Sequence, residues 1–224
     1  MTSAPSYQEI ERAAKNRDLA VLGALHPRHS PVQDLTGGTL VLLGLLGPEC
    51  WTRITGAPEF SDAATDPLDR WSKRIIDALA TDTGATAHYP FGGPPYTPFI
   101  NWALASGRAF TSPSHMLVHD TVGMMISYRG ALHLQQEIDL PPPPMAQSPC
   151  DSCVARPCLS TCPAQALVAG GPYGVTACHS HLDTPEGAPC LENGCLARLA
   201  CPLSQGASRD PVQSAHHMSY FHKT

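Results

Sequence analysis

Residues 150–162, CDSCVARPCLSTC, bring four cysteines into thirteen positions, and Pro163 follows the last. Eight of the nine cysteines fall between Cys150 and Cys201. The ninth, Cys50 in GPECW, stands alone beside a tryptophan and reads as buried filler. Thiols this dense either pair as disulfides or ligate metal, and the compartment decides between the two. The first residues, MTSAPSYQEIERAAKNRD, lack the basic start and apolar core of a secretory signal. The longest apolar run, TLVLLGLLG, falls far short of the roughly 20 residues that cross a bilayer. These features predict a cytoplasmic protein, where clustered cysteines more often bind metal than form disulfides.

The spacing is Cys150-x2-Cys153-x4-Cys158-x3-Cys162-Pro163, then Cys178-x11-Cys190-x4-Cys195-x5-Cys201-Pro202. A [4Fe-4S] cubane needs four converging thiolates: a tight loop supplies three, and a distant Cys-Pro supplies the fourth. In two-cluster ferredoxins the Cys-Pro of one run serves the other cluster. By that logic Cys150, Cys153, Cys158 and Cys201 hold one cluster, and Cys162, Cys178, Cys190 and Cys195 hold the second. Proline after the closing cysteine fixes φ and is expected to open a helix there. Zinc is the rival, as two tetrahedral sites of four cysteines each. The two Cys-Pro endings, and three cysteines within nine residues, favour iron–sulfur.

Outside the cysteines the candidates are fewer. His115 and His119 would share a face if helical, and could then meet a metal or a flat cofactor. His179 and His181 flank Cys178 and are candidate donors toward a cluster. Tyr128 and Arg129 could reach a phosphate or carboxylate, and His216, His217 and His222 read as solvent-exposed. The loop HYPFGGPPYTPFINW reads as Tyr89, Phe91, Tyr96, Phe99 and Trp102 packing on a core. The chain has no glycine-rich phosphate loop, so a nicotinamide or ATP site is not indicated. A net charge of −5 with no dense basic run argues against nucleic acid as partner. The slightly acidic surroundings of the cysteines would suit a basic redox partner protein.

The elements that must position these groups alternate over the first 140 or so residues, which predicts an α/β or α+β domain. PSYQEIERAAKN starts as a polar helix and runs into a short apolar segment. TLVLLGLLG reads as a strand buried on both faces. DPLDRWSKRIIDALATDTG is the clearest helix, with Asp66 expected to cap it, Pro67 in its first turn and Gly84 after its end. A short strand in GATAH, a short helix in TPFINWALASG and a strand in GMMISYRGALHL follow. Four prolines at 141–144 mark a boundary. The expected domains are therefore 1–144, 145–210 and a tail over 211–224.

From about Gly107 to Pro202 the order of features resembles the iron–sulfur half of epoxyqueuosine reductase and the reductive dehalogenases: GMMISYRGAL, EIDLPPPP, CDSC…C…CPAQAL, ACHSH and GCLARLACP. VHDTVGMMISYRGALHLQQEIDLPP is also similar to the cobalamin-processing chaperone of animals. The resemblance implies a nitroreductase-like α+β domain followed by a ferredoxin-like domain with two [4Fe-4S] clusters. It also implies cobalamin as a second cofactor, with electrons passing through iron–sulfur to the corrinoid. The chain would then be an electron carrier, or a cobalamin-dependent reductase in its own right. The zinc alternative makes it a non-redox cobalamin-handling module. Queuosine chemistry is not expected, because no acidic residue lies between Asp82 and Asp120 to move a proton.

Overall fold

A computed structural model describes residues 4–29, 35–145 and 147–223. In chain order it runs through α1 (Tyr7–Lys15), β1 (Ala20–Leu25), β2 (Thr39–Gly44), α2 (Pro48–Thr55), α3 (Pro67–Thr83), β3 (Thr86–His88), α4 (Phe99–Ala105), β4 (Ala109–Thr111), β5 (Leu117–His119) and β6 (Tyr128–Leu134). After the prolines come only helices: α5 (Pro157–Ser160), α6 (Val175–Leu182), α7 (Ala188–Asn193), α8 (Leu196–Leu199) and α9 (Pro211–Phe221), with short 3-10 turns between some of them. The protein is thus mixed α+β. None of the described helices is long and apolar enough to cross a membrane.

The chain divides into two compact units, one of Met1–Ala109 with Ser127–Pro144, the other of Phe110–Ile126 with Met145–Thr224. One division falls after Pro144, at the proline run. Against a first domain of 1–144, however, residues 110–126 belong with the cysteine-rich unit. Residues 211–221 form α9, whose buried Gln213, Ser214 and Met218 tie it into that unit, so the stretch read as a tail is part of the fold.

The first unit is built on an antiparallel sheet of order β1-β2-β6-β3. β2, TLVLLG, is buried at every position, because it lies inside the sheet and both faces are covered. Val41 and Leu43 join Leu132 and Leu134 of β6 against Ile10, Trp51, Ile54, Leu68, Trp71, Ile76 and Leu79 of α1, α2 and α3. α1 begins with a capping box, in which Ser6 and Glu9 satisfy each other's backbone N–H groups. α3 starts differently from expectation: Asp66 is left-handed, φ 54°, and its side chain makes no capping bond, while Gly84 does close the helix in the left-handed region. Cys50 is buried in this core and donates to the Gly47 carbonyl at 3.0 Å.

Arg129, read as a candidate anion contact, is engaged inside the unit. It is buried, donates to Ser72 Oγ at 2.9 Å and pairs with Asp69. Burial pulls its pKa down and the Asp69 carboxylate offsets that pull. In the aromatic loop, Phe99 and Trp102 are buried and Tyr89 packs on Phe91, while Tyr96 stays exposed. Asp69→Ala leaves the Arg129 cation with no carboxylate partner among its described contacts, and is expected to cost about 3 kcal/mol, the low end for a broken buried pair because Asp69 is partly exposed, read as a lowered urea midpoint with an unchanged slope.

Candidate metal centres

In the second unit the cysteines sit on short turns, and the chain reverses often enough to bring distant ones together. Asp151 N–H bonds to Ser148 O at 3.1 Å and Cys153 N–H to Cys150 O at 3.2 Å, so Cys150 and Cys153 lie on successive tight turns. Arg156 is left-handed, φ 41°, and turns the chain into α5, where Pro157 takes the first turn and Cys158 follows. α5 packs on α8, and Cys201 closes the segment after α8. Residues 112–124 brace this arrangement. Met124 N–H donates to Ser204 Oγ at 3.2 Å, and that hydroxyl donates to Arg198 O at 2.6 Å. Gly123, φ +56°, lies so near Ser204 that a Cβ there would sit 2.4 Å from its backbone nitrogen.

Cys150, Cys153, Cys158 and Cys201 together line one cavity of ≈ 330 Å³, walled by Val118, Met124 and Leu203. The other four line a second cavity of ≈ 170 Å³. Cys162 reaches it from beyond α5, Cys178 from α6, Cys190 from α7 and Cys195 from the start of α8. These are the same two quartets that the spacing suggested. Met116 lines the second cavity and also packs on the apolar cluster of Val118, Met124 and Cys158 beside the first.

The electrostatics divide along the same lines. Burial is the first cause that pushes the Cys150 and Cys158 thiols up, and the charges of Cys153 and Cys201 add to it. Ser148 and Ser114 act in the opposite direction on Cys150 and Cys158 respectively. In the second set Cys178 and Cys190 are raised by burial first, then by Cys195 and Cys162. Tyr173 opposes the rise at Cys178 through a hydrogen bond, and its own pKa is raised by burial, by that bond and by the neighbouring thiols. Tyr173 therefore remains a donor at neutral pH.

Apart from the cysteines, the cavities are lined largely by apolar groups. Among the described residues no three Cys, His, Asp or Glu side chains come together closely enough to hold a single ion. A tetrahedral zinc site of four thiolates, with Zn–S ≈ 2.3 Å, would draw its sulfurs to about 3.8 Å apart. His181 also lines the second space, and its Nε2 is buried with no hydrogen-bond partner.

The remaining histidines lie elsewhere. His115 is in a left-handed turn, φ 63°, and His119 is on β5, so the shared helical face does not exist. The buried His119 Nδ1 accepts from the backbone of Thr121 at 3.1 Å. His179 Nδ1 meets His222 Nδ1 at 2.6 Å, and His222 Nε2 meets Asp183 Oδ1 at 3.0 Å. His222 is buried and His216 and His217 are half-buried, so the three are not the solvent-exposed set that was expected. The Cys-Pro pairs also differ from each other. Pro202 opens a 3-10 helix, but Pro163 enters a turn with Gln165 left-handed at φ 49°, because the backbone returns to bond Gly174 N–H to Ala166 O at 2.8 Å.

The spacing did not single out Arg198, Tyr173 or Met116. Arg198 lies three residues from both Cys195 and Cys201, a helical interval that could have drawn attention to it. Its Nε donates to Met124 O at 2.6 Å and its Nη2 to Ile126 O at 3.2 Å. No protein-family model matches the chain, and no curated protein does.

In metal-free protein, Cys150, Cys158, Cys178 and Cys190 are expected to alkylate with midpoints above the ordinary thiol value of about 8.5, because burial and neighbouring thiolates disfavour the charged, reactive form. Iodoacetamide labelling mapped by mass across pH checks this, and Tyr173→Phe should shift the Cys178 midpoint further up.

Proposed function

We propose that the second unit is an electron-transfer module carrying two [4Fe-4S] clusters, one held by Cys150, Cys153, Cys158 and Cys201, the other by Cys162, Cys178, Cys190 and Cys195. The observation that carries this is the division of eight thiols, four and four, around two cavities. A bound cluster supplies one-electron chemistry, at a potential tuned by charge, hydrogen bonds and burial. The chain's own residues supply the thiolates and a largely apolar lining that limits the contact of the core with water. Val118, Met124 and Leu203 do this at the first site, and Leu182, Leu196 and Met218 at the second. Met116, packed against both sites, supports close spacing of the two centres. In finer terms the unit is read as ferredoxin-like.

The partners proposed are a redox protein and, from the sequence resemblance, a corrinoid on a nitroreductase-like first unit. Cob(II)alamin added to the reduced protein should change its cobalt resonance if that acceptor is right, and unchanged cobalt spectra would leave pure electron transfer. The zinc reading would need the four sulfurs of each set to close to about 3.8 Å from one another around one ion.

Protein purified without oxygen should be brown and contain about eight iron and eight sulfide per chain. Cys158→Ser and Cys190→Ser should each remove about half of both. Colourless protein with zinc and no acid-labile sulfide would contradict the proposal. The fully reduced protein should also show a paramagnetic resonance spectrum broadened by coupling between neighbouring clusters. Two independent, unbroadened signals would contradict the close spacing.

A further inference from the structure

The two cavities have unlike polar surroundings. Beside the second, Arg198 is anchored by Nε and Nη2 on the carbonyls of Met124 and Ile126. It is half-buried, partial desolvation pulls its pKa down, and among the described residues no carboxylate pairs with it. A partly desolvated arginine is stabilised by a nearby anion. Cys195 and Tyr173 are the groups that bear on it electrostatically, and both line the second cavity. His181 lines the same space, and its buried Nε2 has no protein partner. The first cavity has a cation too, Arg156, but that residue is exposed, so water and salt screen its field. Its other polar neighbours are neutral serine hydroxyls, such as Ser112 and Ser152.

We propose that the two centres are unequal, and that the one ringed by Cys162, Cys178, Cys190 and Cys195 has the higher reduction potential, set by Arg198 and His181. This deepens the two-cluster reading and rests on it. Reduction adds one electron to a cluster and forms or breaks no bond to substrate. The four thiolates and their core are anionic, and the added charge makes them more so. A cation held in place by two carbonyls and only partly solvated, together with an N–H donor, stabilises that reduced form more than the oxidised one, which raises the potential. An electron delivered by a one-electron donor protein then comes to rest at the second centre. Arg198 and His181 act as positioning residues for charge and are not ligands.

The test is a mediated potentiometric titration of the full-length, oxygen-free protein, reduced with dithionite and followed by paramagnetic resonance. Wild type should show two midpoints. Arg198→Gln and His181→Leu should each lower the higher midpoint by about tenfold in its equilibrium, about 59 mV for one electron, and leave the lower one in place. Arg198→Lys, which keeps the charge, should recover most of the loss. Arg198 also holds two carbonyls, so if Arg198→Gln fails to fold, His181→Leu alone decides. Movement of the lower midpoint, equal movement of both, or movement of neither overturns the inference. Intact iron and sulfide with those results would remove this inference alone, whereas protein without iron and sulfide would remove the two-cluster reading with it.

Discussion

Gathering four thiols around one space is unfavourable for the thiols alone. Burial opposes their ionised form, and each ionised neighbour opposes it again, which is why both effects raise Cys150, Cys158, Cys178 and Cys190. A cationic core reverses the sign of the problem, since it needs the thiolates that the protein otherwise disfavours. Under the two-cluster proposal, something positive and several atoms across would occupy each space.

The two units differ in what holds them. The first has a continuous core in which α1, α2 and α3 cover a sheet whose central strand is wholly buried. The second has small, separate apolar clusters, around Val118 and Met124, around Val122 and Met125, and around Leu182 and Met218. α5 and α8 have four residues each and α7 has six. Helices need about 12–15 residues to persist alone in water. Cysteines occur in two of these three small clusters, so under the two-cluster proposal ligation and folding would be coupled there.

Much of the scaffold was legible because local patterns decide it. TLVLLG carries no polar residue except its first, so it can only be an interior strand, and the apolar spacing of Leu68, Trp71, Ile75, Ala78 and Leu79 writes a helix, although Ile76 faces the core where Ala78 does not. Asp66 misled because its left-handed backbone turns its side chain away from the cap. What the pattern could not show was allegiance. Nothing in SHMLVHDTVGMM marks which core it joins, and its place in the cysteine-rich unit depends on distant partners such as Ser204 and Arg198. The same holds for His222, whose burial follows from α9 docking near Asp183 and His179. The grouping of cysteines was suggested by chain spacing alone, whereas Arg198 and Tyr173 emerge only once folding brings their side chains to the second space.

The most direct measurement is Mössbauer spectroscopy of protein grown on ⁵⁷Fe and kept free of oxygen. The account requires essentially all of the iron to be in valence-averaged, spin-coupled [4Fe-4S] centres of two environments. Iron present only as isolated mononuclear sites, or no bound iron at all in fully folded protein, would contradict it.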